Sequence, residues 1–200
     1  MQLLQSDTIA PCGAEESLAG QLLIAMPSLA ESEFDRSVIY LCAHSADGGA
    51  MGIVINRRIS QPGFDDLLQQ LDIAPTPPRR RIGLCAGGPV EAGRGLVLHS
   101  TDWDGDGTLT INDEISLSAN LEVLKDIAAG EGPRDALLAL GHAGWEAGQL
   151  EEEIARHSAW LVAPASREIV FGADHAAKWR KALAAINIDP LRLASFTGSA

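Results

Sequence analysis

Val38-Ile39-Tyr40-Leu41-Cys42 carries an apolar or aromatic side chain at every position, so as an extended strand it is apolar on both faces. Such a strand needs cover on each side, which excludes an open sheet with one wet face. Met51-Gly52-Ile53-Val54-Ile55 is a run of the same kind. Ser45-Ala46-Asp47-Gly48-Gly49 between them has the length and chemistry of a hairpin loop. Further strands are predicted at 21–25, 82–85, 95–99, 108–111, 115–117, 136–140, 160–163 and 169–171, with turns at Gly87-Gly88-Pro89, 104–107 and Asn112-Asp113.

Helical spacing is sparser. Phe64, Leu67, Leu68 and Leu71 fall on one stripe and are stopped by Pro75, Pro77 and Pro78. Ser118 is placed to cap a second helix that buries Leu121, Leu124, Ile127 and Ala128 and ends at Gly130. A third helix is predicted over 149–157, and Asp174 caps a last one with Trp179, Leu183 and Ile186 on one face. Strands outnumber helices and cluster early, which predicts an α+β fold with a largely antiparallel sheet. The 200 residues, 46% of them hydrophobic, suffice for one compact domain over 17–200, preceded by a flexible polar arm, 1–16.

Fifteen Lys and Arg against 27 Asp and Glu give a net charge of -12, a field that repels phosphate backbones and makes direct DNA binding unfavourable. The best basic helix, Lys178-Trp179-Arg180-Lys181, is short and lacks a partner helix for a helix-turn-helix. Arg79-Arg80-Arg81 reads as a solvated linker. Cys12, Cys42 and Cys85 are odd in number and lack C-x-x-C spacing, the pattern of reduced thiols rather than a disulfide framework or zinc site. No basic-then-apolar leader and no apolar run of roughly 18 residues is present, which predicts a cytoplasmic protein with no membrane segment.

Gly141-His142-Ala143-Gly144-Trp145-Glu146-Ala147-Gly148-Gln149-Leu150-Glu151 reads as a strand passing through a glycine-rich turn into a helix. His142, Trp145 and Gln149 are candidates to line a pocket, with amides near Gly148 as donors. The structural alternative has Trp145 plugging a sheet end and His142 bonded to a backbone carbonyl. Gly87-Gly88-Pro89-Val90-Glu91 lacks the Lys-Ser or Lys-Thr of a phosphate loop and is a turn first. Gly88 and Glu91 join the candidate binding residues, and Glu91 with His142 would be an acid/base pair if the fold united them. Asp102, Asp104, Asp106 and Asp113 approximate a calcium loop, but strand-like flanks favour an ordinary hairpin turn. His44, His99, His142, His157 and His175 lack metal-ligand spacing, and His157 and His175 are assigned to helix ends on the surface. Ser37 has no G-x-S-x-G elbow, and Cys42 and Cys85 are expected to be buried, inert thiols. No catalytic residue, metal or cofactor is assigned.

Several segments together resemble the bacterial YqgE/AlgH family: Leu22-Leu23-Ile24-Ala25-Met26-Pro27, Phe34-x-Arg36-Ser37-Val38-Ile39, Gly52-Ile53-Val54-Ile55-Asn56, Gly87-Gly88-Pro89-Val90, Leu98-His99 and the 141–151 block. The resemblance runs from Gly20 to Phe171 and weakens in the last helix. It implies a bifurcated, barrel-like antiparallel sheet flanked by helices, with no established activity or cofactor and, for part of the family, a role in transcriptional regulation. Many members have Tyr where His142 stands, which argues against a shared histidine catalyst. The preferred reading is a non-enzymatic interaction or regulatory protein that binds a protein partner or a small metabolite. The alternatives are a transcriptional regulator acting directly or through a partner, and a hydrolase or transferase using His142, Glu91 or Ser37.

Overall fold

The computed structural model describes residues 17–76 and 80–193, so the arm 1–16 with Cys12, and residues 77–79 and 194–200, lie outside the described residues. Nine strands form among them: β1 (Gln21–Ala25), β2 (Val38–Ser45), β3 (Gly49–Val54), β4 (Gly83–Ala86), β5 (Val90–Ser100), β6 (Leu109–Thr110), β7 (Ile115–Ser118), β8 (Ala136–Trp145) and β9 (Trp160–Pro164). They make one strongly curled half-barrel in the order β6-β7-β5-β8-β3-β2-β1-β9, with β4 beside β8 as the one parallel pairing among the described residues.

The apolar strands are covered on both faces, as their composition requires. Leu22, Ile24, Val38, Tyr40 and Cys42 face the interior of the curl, where α4 (Arg167–Phe171) and α5 (Lys178–Ala185) supply Ile169, Val170, Ala182 and Leu183. The alternate residues Leu23, Ile39 and Leu41 face outward and pack with Leu150 of α3 (Gln149–Ala155) and with Trp145 and Trp160. A second outer cluster joins Val97 and Leu138 to Phe64 and Leu68 of α1 (Phe64–Gln70) and to Val123, Leu124 and Ile127 of α2 (Glu122–Ala128). Trp103 closes that cluster and donates its indole N–H to Asp126 Oδ2 at 2.8 Å.

The sheet forks along β8. Residues 137–140 pair with β4 on one side and β5 on the other, whereas 143–145 pair with β3. Between the two halves Gly141 has φ +73°, and the strand changes frame. Leu137 and Ala139 point inward, but Ala143 and Trp145 point outward beneath α3. Gly87 fills the fork, donating to Leu140 O and accepting from Val54 N, each at 2.8 Å. A Cβ at Gly88, where φ is +149°, would lie 2.2 Å from the His142 carbonyl carbon. Only chain without side chains there lets the backbones cross so closely.

Several local expectations are corrected. Residues 141–145 are strand, so the turn is confined to 146–148, and the helix that follows ends at Ala155, short of His157. The stretch 169–171 is helical rather than extended, because Ser166 Oγ accepts from Ile169 N at 3.3 Å and caps α4. Ser118 belongs to β7, and its hydroxyl bonds His99 Nε2 at 2.9 Å. The start of α2 is held instead by Asn120 Oδ1, which accepts from Val123 N, and Leu121 is 48% exposed. Residues 190–193 form a further short helix, α6 (Pro190–Leu193), and β5 extends back to Val90.

Gly88→Ala is expected to lower the unfolding free energy by about 3 kcal/mol or more, because a strained backbone and a backbone clash combine. Gly93→Ala, whose Cβ would meet nothing within 4 Å, should change it by less than about 0.5 kcal/mol. Urea denaturation of the two variants separates the outcomes.

Candidate functional site

The residues singled out along 141–151 fall into two groups. Trp145 and Gln149 meet at Glu153: the Trp145 and Trp160 indole N–H groups donate to Oε2 at 3.0 and 2.7 Å, and Gln149 Nε2 donates to Oε1 at 2.9 Å. The two indoles pack edge to face at 5.9 Å, and Phe34 sits on Trp160 in the same manner at 5.6 Å. One carboxylate thus ties α3 to β8 and β9. Glu151 accepts from His44 Nε2 at 2.7 Å, while Leu18 N donates to His44 Nδ1, which places the imidazole proton on Nε2.

Gly88, Glu91 and His142 gather at the fork. His142 pairs with Val90 and rests on the Gly88 backbone; its Nδ1 is buried with no hydrogen-bond partner, not on a carbonyl. Glu91 stands in a bulge of β5 at φ +48° and accepts from Arg94 at 2.9 Å. No hydrogen bond joins Glu91 to His142 among the described residues. The aspartates at 102–113 do not converge either. Asp102 takes the Ser100 hydroxyl and Arg134 N, and Asp104 accepts from Gly105 N. Among the described residues no three His, Cys, Asp or Glu side chains are arranged to hold a metal. The loop joins β5 to β6, which are not sheet neighbours, so it is not a hairpin.

A separate concavity lies elsewhere. A cleft of about 1010 Å³ runs between the Met26-Pro27 segment, the 35–36 and 56–57 segments, and the wall formed by α5 and α6. Among the described residues three arginines line it, Arg36, Arg57 and Arg180, together with a single carboxylate, Asp35. Asn56 builds the near wall: its Oδ1 accepts from Val38 N at 2.9 Å and its Nδ2 donates to Arg36 O at 2.8 Å. This clamp on both sides of Ser37 holds Arg36 at φ +50°, a conformation that non-glycine residues keep only where their surroundings enforce it. The Arg36 guanidinium lies 5.8 Å over the ring of Trp179, whose Nε1 donates to Ala25 O at 3.2 Å. Arg57 donates to Ser37 Oγ and to Asp35 O, both uncharged acceptors. None of the three arginines forms an ion pair among the described residues; Arg81, Arg94, Arg134, Arg156 and Arg167 do, and Arg58 and Arg80 outside the cleft do not.

At the cleft wall, where His175 is part of the lining, lies a polar cluster that no sequence spacing announced. His175, expected at the surface, is 8% exposed, and its Nδ1 lies 3.4 Å from Cys85 Sγ. Lys178, 1% exposed, donates to Ile55 O at 3.0 Å and Val170 O at 2.7 Å, tying α5 to the end of β3 and to α4. Burial pushes the Cys85 thiol up to about 11 and the Lys178 ammonium down to about 8, and burial followed by the Lys178 charge lowers His175. At neutral pH the pair is a thiol beside a neutral imidazole, not an activated thiolate. Cys42 and Cys85 are both buried and unpaired, as expected.

A family model described as AlgH-like matches residues 22–191. A UPF0301 protein of Gluconobacter oxydans is 61% identical over 186 residues, covering 93% of this chain and 100% of its own length. One from Rhodospirillum rubrum is 46% identical over 93% of this chain and 96% of its own. The solution structure of the AlgH protein from Pseudomonas aeruginosa superposes with a TM-score of 0.73 at 37% identity, covering 99% of this chain and 98% of that one. A crystal structure from Corynebacterium diphtheriae, at 24% identity and TM-score 0.66 over 90% of this chain and 91% of its own, shares the fold.

Glu153→Ala leaves two indole N–H groups without an acceptor and should cost roughly 2–4 kcal/mol, while Glu153→Gln, which keeps one oxygen, should cost less; thermal denaturation ranks them. Lys178 has a testable sign. Its folded value near 8 lies below the ordinary 10.5, so above pH 8 the folded chain holds fewer protons than the unfolded one and stability rises with pH. The difference in urea stability between the wild type and Lys178→Met should grow in favour of the wild type from pH 8 to 9, by at most about 1.4 kcal/mol. A pH-independent difference would contradict the assignment.

Proposed function

The chain belongs to the AlgH-like family, and on that premise we propose that it is a non-enzymatic binding module that acts in regulation through an anionic ligand or partner held in the Arg36-Arg57-Arg180 cleft. The observation that carries the reading is three cleft arginines without a carboxylate partner among the described residues, in a chain of net charge -12. With acids in such excess, arginines left unpaired around one concavity point to an anion supplied from outside. The strained backbone at Arg36, fixed by Asn56, supports the same assignment, since such strain collects at ligand sites.

Catalysis has less support. The cleft is lined by neither His142 nor Glu91, and Ser37, fully buried, is engaged by Arg57. Control of transcription through a partner is compatible with the cleft; direct reading of DNA is not favoured. Of the basic residues on α5, Lys178 is buried on two carbonyls and Lys181 is paired with Glu168 at 2.7 Å, which leaves Arg180 alone. No helix among the described residues is long and apolar enough to cross a membrane, and the buried unpaired thiols accord with a reducing cytoplasm.

The test is a thermal-shift panel of inorganic phosphate, pyrophosphate, nucleotides, decanoate and pooled acidic peptides on the wild type and on Arg36→Asn/Arg180→Gln. Asparagine is chosen because it tolerates the left-handed backbone. At a hundredfold excess over its Kd a true ligand stabilises by about 2.7 kcal/mol, roughly 5–10 °C here. The shift should vanish in the double variant, and the probe should be recovered unchanged. No shift from any probe, a shift that survives the substitutions, or a probe converted to product would each reject the reading.

A further inference from the structure

The cleft narrows the kind of anion it can take. Arg36 and Arg180 are exposed, so a single charge set against either remains in water and is weakly held. Useful attraction therefore needs several anionic groups spaced to meet more than one guanidinium. The natural seat for a phosphate, the start of the helical segment on the cleft wall, is already occupied: Asp174 Oδ1 accepts from Ala177 N at 3.1 Å and places a negative charge there.

Between the cations the lining is mainly apolar, with the Asn56 amide and the His175 imidazole as its uncharged polar members. Met26, Pro27, Trp179, Leu191 and Leu193 contribute to it, and Leu191 is 81% exposed at its edge. At about 1010 Å³ and open to solvent, the cleft is at the upper end of the range for small-molecule sites and has room for several side chains. A largely apolar lining set between charges is the arrangement of a peptide-recognition groove, in which anchors give affinity and charges give selectivity.

Building on the binding reading above, we propose that the cleft is the docking site for a short acidic segment of a partner protein, an apolar anchor residue flanked by carboxylates. The anchor lies on Trp179 and Met26 between the walls, and the carboxylates meet Arg36 on one side and Arg180 on the other. The strongly acidic remainder of the surface repels acidic segments, so capture is restricted to chains whose anchor fits this one cationic rim.

A degenerate dodecapeptide library, randomised at every position, is selected on the wild type and on the charge-reversed Arg36→Asp/Arg180→Glu variant, after matched thermal midpoints show both to be folded. Should the double variant not fold, Arg180→Glu alone, a change on an exposed helix position, takes its place. Wild-type selections should be enriched in peptides with at least two acidic residues flanking an aromatic or aliphatic one. Charge reversal should weaken those peptides by about tenfold or more and bring up basic ones. Enriched peptides without acidic residues, or acidic peptides that bind both forms equally, would overturn the proposal. Phosphate, nucleotides or decanoate shifting the wild type while no acidic peptide is enriched would overturn it too, yet leave the cleft as a small-anion site. No response to any probe would remove both readings.

Discussion

The sheet depends on the close crossing of two backbones, the Gly87-Gly88 segment over the middle of β8. A nine-stranded, largely antiparallel sheet with side chains at this point would have to continue as one surface. With the side chains absent, β8 changes frame at Gly141 and supports two outer layers, α1 with α2 on one half and α3 on the other. The interior face remains continuous, so a single core carries both halves and the helices α4 and α5 that fill it.

That division also separates two kinds of polar chemistry. On the outer side, carboxylates are consumed internally: Glu153 by two indoles and a glutamine, Glu151 by His44. At the cleft the balance is reversed. Arg57 is directed by neutral oxygens, Arg36 by an indole face, and the lysine that secures the wall is buried on carbonyls with no carboxylate paired to it among the described residues. Neutral acceptors orient a cation without cancelling its charge, which leaves its field available to a ligand.

Much of the fold was legible in the sequence because period and turn chemistry are local signals. The hairpin through Ser45–Gly49, the helix at Phe64 and the Asp174 cap all follow from a few adjacent residues. Local signals also misled where tertiary context prevailed. Gly141 and Gly144 read as a turn, but at Gly141 the crossing strand needed the missing side chain, and the apolar run at 169–171 yielded to the Ser166 cap. The cleft was not legible, since Arg36, Arg57 and Arg180 lie far apart in the chain and share no spacing. Its parts are visible nonetheless: Phe34-x-Arg36-Ser37 and the run ending at Asn56 carry the family resemblance, and Lys178-Trp179-Arg180-Lys181 is a basic helix. Only the sheet brings them to one side. His175 and Cys85 were likewise invisible as a pair, because a separation of 90 positions along the chain carries no trace of a 3.4 Å contact.

The four indoles are unequally placed. Trp103, Trp145 and Trp160 each donate to a carboxylate at the outer packing layers, whereas Trp179 donates to a backbone oxygen and lies beneath Arg36 in the cleft. Three of the chromophores are thus shielded from any occupant of the cleft and the fourth is in its path. The molecule carries its own optical gauge: quenching or spectral displacement confined to one quarter of its indoles would report occupancy without a label.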